Sequence, residues 1–192
     1  EKAAEVAWNA SSLYIESKHN KPIMPYELAR WNDPIKSKIV SVEELEKIVN
    51  YDKCKWVWTN GAFDIAHLAH FKTLEIANKL GDRVIVGLNT DESIKRLKGN
   101  HRPILSFEQR SEHLAHLQYV DFIVPIHEDT PRNIIKQLKP NIILKGEEYK
   151  NKYVAGTEDM YEWGGEIVFV PMIPNMSTTK IIELMQSKLP LP

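Results

Sequence analysis

From residue 55 onward the chain alternates short apolar runs with amphipathic ones, and that alternation restricts the fold more than any other feature. Lys55–Thr59, Arg83–Leu88, Val120–Ile126, Asn141–Leu144 and Glu166–Pro171 read as strands. Ala66–Leu80, Ser106–Gln118, Pro131–Leu138 and Ser177–Lys188 read as helices. Gly81 stops the first of them, Ser106 caps the second and Pro131 sits in the first turn of the third. Strands that are apolar almost throughout are buried on both faces. The pattern therefore predicts an α/β fold, a Rossmann-like parallel sheet with helices on both faces. Ligands of such sheets sit beyond the carboxyl ends of the strands, where the strand order reverses.

Residues 1–39 read as a short helical N-terminal appendage, and residues 40–192 as one domain. Glu1 to Ser17 places Ala3, Ala4, Val6, Ala7, Ala10, Leu13 and Tyr14 on one helical face. Lys18–Pro22 is a turn, and Pro25–Pro34 holds a short segment with Trp31. Ser41 and Glu44 form a candidate capping box for a helix over Val40–Asn50. The absence of an initiator Met suggests a fragment or a processed product.

Lys plus Arg is 25 and Asp plus Glu is 26, so no strong field draws the chain to nucleic acid or to a membrane. A phosphate site can still concentrate positive charge in one cleft. The single cysteine, Cys54, cannot form an intrachain disulfide and reads as a small buried side chain in a reducing, cytoplasmic compartment. No apolar run reaches membrane-span length, and the N-terminus lacks a signal-peptide pattern.

The chemistry concentrates in Thr59-Asn-Gly-Ala-Phe-Asp-Ile-Ala-His-Leu-Ala-His70, where the first strand feeds a helix. Gly61 offers backbone freedom and close approach to a ligand. Free N–H groups at the helix start form an anion site. Asp64, His67 and His70 are spaced by three, which predicts one helix face. Two imidazoles there can stabilise charge on an α-phosphorus and a departing pyrophosphate. The same three side chains could alternatively hold zinc, but zinc explains neither the Thr-Asn-Gly turn nor the Ser177-Thr-Thr179 helix start. His101, His113, His116 and His127 read as surface or core residues without function. Lys95, Arg96 and Lys98 follow the strand carrying Asn89 and Asp91, which favours phosphate contact over a merely solvated face. Arg110 reads first as a structural ion pair or dimer contact, and second as a phosphate ligand. Neither a Walker A loop nor a Gly-x-Gly-x-x-Gly fingerprint is present.

Gly61-Ala-Phe-Asp-Ile-Ala-His-Leu-Ala-His70 resembles the signature of the cytidylyltransferase-like nucleotidyltransferases. Ala69 stands where that signature has Gly; as the smallest replacement it predicts tight packing rather than loss of the site. Asn89–Pro103, Glu108–Arg110, Glu128–Pro131, Lys145–Tyr149, Ala155-Gly156, Gly164–Val168 and Ser177–Ile181 are similar, in order, to the adenylyltransferase domain of bifunctional ADP-heptose synthases. That resemblance covers roughly residues 40–187, and residues 1–34 look like the tail of a preceding sugar kinase domain. With the kinase itself absent, no kinase activity is expected.

The resemblance implies His67, His70 and Lys98 as catalytic residues, with Lys95 and Arg96 competing for the role of Lys98. It implies that Thr59, Asn60, Gly61, Ala62 and Phe63 approach the nucleotide, together with Asn89. Gly146 and Glu147 would border the base or ribose, and the helix start at Ser177, Thr178 and Thr179 would face the phosphates. Asp91, Lys95, Arg96 and Arg110 are carried over as substrate or phosphate ligands. The implied reaction transfers AMP from ATP, with Mg²⁺, to a sugar 1-phosphate such as D-glycero-D-manno-heptose 1-phosphate, giving an ADP-sugar and pyrophosphate. Alternatives are a cytidylyltransferase acting on glycerol 3-phosphate or another small phosphate, and a non-catalytic nucleotide-binding or partner module. Residues 172–176 lack the Arg that glycerol-phosphate cytidylyltransferases carry before Ser-Thr-Thr, which weakens the former. Relatives are often oligomeric, so a homodimer or higher homo-oligomer is expected, with no metal held by protein side chains alone.

Overall fold

The computed structural model describes residues 2–16, 25–171, 173–174 and 176–188. Two helices open the chain, α1 (Lys2–Glu16) and α2 (Pro25–Asn32), followed by a 3-10 turn at Lys36–Lys38 and α3 (Val42–Tyr51). Then come β1 (Trp56–Gly61), α4 (Leu68–Leu80), β2 (Arg83–Asn89), α5 (Asp91–Lys98), α6 (Phe107–Ala115) and β3 (Phe122–Ile126). The chain continues with α7 (Arg132–Leu138), β4 (Ile142–Gly146), 3-10 turns at Glu147–Tyr149 and Met160–Glu162, β5 (Glu166–Val170) and α8 (Thr178–Lys188).

The five strands form one parallel sheet in the order β3-β2-β1-β4-β5. The chain builds outward from β1 to β3, then returns to place β4 on the other side of β1. The carboxyl ends of β1 and β4 therefore flank the switch point where ligands of such sheets bind. Alternate side chains of each strand enter opposite cores. Trp56, Trp58, Ile85, Phe122, Val124 and Ile143 meet Leu45 and Ile48 of α3 and Ile134, Ile135 and Leu138 of α7 on one face. Val57, Val84, Val86, Leu88, Ile123 and Leu144 meet Leu74 and Ala77 of α4 and Leu114 and Ala115 of α6 on the other. The expected Rossmann-like sheet, covered on both faces, is present.

The predicted capping box at α3 forms, with Ser41 Oγ accepting from Glu44 N at 3.2 Å and Glu44 accepting from Ser41 N at 2.9 Å. Two expectations need correction. Gly81 does not end α4 in a left-handed turn, since its φ is −155°. It is small because a Cβ would lie 2.6 Å from the Lys55 carbonyl oxygen. The α4 helix starts at Leu68, two residues later than expected. The segment after β2 is a helix, α5, capped by Thr90, whose hydroxyl accepts from Ser93 N at 3.3 Å.

Residues 25–39 lie against the amino ends of the strands. Tyr26 meets Phe122 edge-on at 5.9 Å, and Arg30 donates to the Asp121 carbonyl at 2.7 Å. Among the described residues no helix is long and apolar enough to cross a membrane.

Candidate active site

The loop between β1 and α4 is held by two buried charges. Asp64 accepts from the amides of Ile104 (2.8 Å) and Leu105 (3.0 Å) and pairs with Arg102 Nε at 2.7 Å. Arg110, fully buried, donates to the Ala62 carbonyl (2.6 Å), the Leu105 carbonyl (3.0 Å) and Asp91 Oδ1 (2.7 Å). Each charge spans from this loop to residues 102–105, so the two segments are cross-tied. Within the loop Phe63 takes the left-handed region at φ 46°, a strained setting for a non-glycine residue. Gly61 has no such φ, and a Cβ there would make only ordinary contact with the Phe63 ring at 3.5 Å. The conformational role expected of Gly61 thus falls to Phe63.

Three-residue spacing places side chains on one face only inside a helix. Because α4 begins at Leu68, Asp64 lies before it and points into the protein. His67 is the N-cap residue, in extended conformation, and no side chain caps the first turn. An uncapped first turn and the helix dipole together suit an anion. His67 and His70 stack with ring centres 3.8 Å apart, and Phe63 backs His70 at 4.7 Å. Among the described residues neither buried Nδ1 atom has a hydrogen-bond partner, and both rings line the cleft. Burial pushes His70 down to about 4, assisted by His67 and Lys98, and burial also lowers His67. Both rings are neutral at neutral pH and can each donate one N–H bond to a phosphate oxygen.

A cleft of about 580 Å³ opens above the carboxyl ends of β1 and β4. It brings together Thr59, Asn60, Gly61, Ala62, Phe63, His67 and His70 from the first segment. Lys98, Gly146, Ser177, Thr178 and Thr179 join them from distant parts of the chain. Ala69, at the signature's departure, lines the same wall. Ser177 Oγ accepts from Lys180 N at 3.2 Å and so caps α8, whose start also enters the cleft. Burial and the neighbouring Arg102 lower the Lys98 ammonium.

Other expected ligands lie elsewhere. Arg110 and Asp91 neutralise each other beneath the loop, so neither is free for phosphate. Arg96 reaches Asp129 (2.8 Å) and the His127 carbonyl (2.6 Å), away from the cleft. Lys95 is exposed on α5 and does not line it. Asn89 is buried and donates to Ser93 Oγ at 3.0 Å. Glu147 faces solvent, while Glu148 and Tyr149 line the wall. A zinc set of Asp64, His67 and His70 does not assemble, because Asp64 is committed to Arg102 and two amides.

Sequence reasoning missed Lys145, Arg102 and His101, all of which line the cleft. The signal for Lys145 was available: a lone cation closes the apolar run Ile142-Ile-Leu-Lys-Gly146, at a strand's carboxyl end. Lys145 Nζ donates to Asn60 Oδ1 at 2.7 Å, and burial pushes it down to about 8. His101 and Arg102 gave no comparable signal, since their place depends on the tie to Asp64.

The family model described as cytidylyltransferase-like matches residues 58–184, from the middle of β1 into α8. The chain belongs to the cytidylyltransferase-like family. As a member of that family it is a nucleotidyltransferase, and the stacked histidines and the two helix starts fall within the matched span. The bifunctional protein HldE of Campylobacter jejuni subsp. jejuni serotype O:6 is 40% identical over 188 residues, covering 97% of this chain and 40% of that protein. The bifunctional protein HldE of Helicobacter hepaticus is 45% identical over 153 residues, covering 79% of this chain and 31% of that protein. The chain thus spans two fifths or less of the length of these curated relatives. Among solved structures, the lipopolysaccharide core biosynthesis protein from Thermoplasma volcanium GSS1 superposes with a TM-score of 0.51 at 29% identity, covering 62% of this chain and 97% of that one.

Proposed function

We propose that this cytidylyltransferase-like chain transfers AMP from ATP to a sugar 1-phosphate, with D-glycero-D-manno-heptose 1-phosphate favoured. An oxygen of the acceptor phosphate attacks the α-phosphorus in line. The bond from the α-phosphorus to the bridging oxygen breaks, and pyrophosphate leaves with that oxygen. No covalent enzyme intermediate and no proton transfer are required. The protein contributes positioning and charge stabilisation.

The observation that carries this reading is the meeting of His67 and His70, with neutral stacked rings, and two helix starts in one cleft at the sheet's switch point. Fixed N–H donors of this kind act on charge that grows in the transition state. The HldE relatives direct the choice of acceptor. Mg²⁺ would be held by phosphate oxygens and water, as is usual for this ion, and would neutralise charge on the triphosphate. A single thiol, Cys54, which burial pushes up to about 11, fits a cytoplasmic protein. A homodimer is the proposed assembly, supported by Leu68, Phe71, Leu97 and Ile104, apolar side chains left exposed. The earlier sequence of residues 1–39 is proposed as the end of a sugar kinase-like domain.

The test is a screen of sugar 1-phosphates against ATP, CTP, GTP and UTP with pyrophosphate detection, run beside His67→Ala. Heptose 1-phosphate with ATP should give the highest kcat/KM. Wild-type protein silent with every pair would leave a binding module instead.

A further inference from the structure

We propose that Lys145 and Asn60 form the seat for the phosphate group of the acceptor. The inference rests on the reaction proposed above and adds the residues that hold its second substrate.

Lys145 and Asn60 are the penultimate residues of β4 and β1, neighbouring strands across the switch point. Asn60 Oδ1 accepts from Lys145 Nζ at 2.7 Å and from Trp58 Nε1 at 3.1 Å. Two donors on one oxygen orient the amide, and its Nδ2 hydrogens are left for the cleft. The Lys145 ammonium has three hydrogens, of which Asn60 takes one. Among the described residues no carboxylate lies within 4.0 Å of it. Glu148 acts on it from farther away, and the Tyr149 ring lies 5.4 Å from Nζ. A desolvated cation in this state is costly unless an anion joins it.

The reaction brings two anionic groups to opposite sides of one phosphorus. The triphosphate has its own donors in His67, His70, Lys98 and the uncapped first turn of α4. Lys145 and Asn60 are a separate donor set in the same cleft, on the β4 side of the switch point. A phosphomonoester dianion matches their one positive charge and their free N–H hydrogens.

The groups facing Lys145 are Asn60 on β1 and, beyond β4, Glu148 and Tyr149, with Lys152 at 5.6 Å from the Tyr149 ring. Loss of the Lys145 proton should therefore govern acceptor binding as pH rises through about 8.

The test measures KM for heptose 1-phosphate and for Mg·ATP separately in wild type, Lys145→Met and Lys145→Arg. Lys145→Met should raise the acceptor KM roughly 10–150-fold, the loss of charged hydrogen bonds, with KM for ATP little changed. The wild-type acceptor KM should climb above about pH 8, and Lys145→Arg, charged throughout, should remove that climb. An active wild type whose Lys145→Met variant loses ATP affinity, or neither affinity, overturns the seat and leaves the reaction standing. So does a Lys145→Arg enzyme that keeps the alkaline climb. A wild type inactive with every sugar 1-phosphate removes the reaction, and the seat with it. Thermal melts identify an unfolded Lys145→Met, in which case the Lys145→Arg pH profile decides.

Discussion

Arg110→Met separates a buried strut from a phosphate ligand. The guanidinium is fully buried and makes three bonds, at 2.6 Å to Ala62 O, 3.0 Å to Leu105 O and 2.7 Å to Asp91 Oδ1. Met fills a similar volume but leaves two carbonyls and one carboxylate without that donor. Removing one partner of a buried ion pair costs about 3–5 kcal/mol. A small domain has only about 5–15 kcal/mol to lose. With a urea slope of about 2 kcal/mol/M, the midpoint should fall by roughly 1.5–2.5 M. Five tryptophans report the transition by fluorescence. Turnover should fall as well, because the Ala62 carbonyl is no longer held beside Gly61 and Phe63. A variant of wild-type stability with a raised KM for ATP would refute this and return Arg110 to the phosphates.

Other consequences can be measured on the same protein. His67→Ala and His70→Ala should each lower kcat by about 10²–10³-fold with folding retained, checked by pyrophosphate release and circular dichroism. His70 titrates at about 4 when folded and at 6.5 as a free group, so the unfolded chain binds the extra proton between those values. Stability should therefore fall as pH drops from 6.5 to about 4, and His70→Gln should flatten that part of a urea-midpoint profile. Gly87→Ala would put a Cβ 2.4 Å from Trp58 Cζ2 and 2.8 Å from Ile126 Cδ1, and should destabilise by about 1–3 kcal/mol in a thermal melt.

Much of the fold was legible because apolar strands and amphipathic helices leave different periodicities in the sequence. All five strands were found, within a residue or two at their ends. The helix α5 escaped because Asp91-Glu-Ser-Ile-Lys-Arg-Leu-Lys98 is short and mostly polar, and it depends on Thr90 for its cap. Site residues next to one another in sequence were placed together, from Thr59 to Phe63 and from Ser177 to Thr179. Long-range ties were not legible. Asp64 meets Arg102 across 38 positions and Arg110 meets Asp91 across 19, and no local pattern marks either pair. Arg110 makes the structural ion pair that its first interpretation expects, but with Asp91, which the sequence draws toward the phosphates, and Lys145 is passed over for the same reason.

The most direct measurement is a crystal structure with Mg²⁺ and the α,β-methylene analogue of ATP. The triphosphate should lie between the starts of α4 and α8, with Nε2 of His67 and His70 in hydrogen-bond reach of its oxygens. An analogue bound instead in the separate cavity of about 260 Å³ beside Tyr26, Arg30 and Arg83, with both imidazoles untouched, would contradict the account.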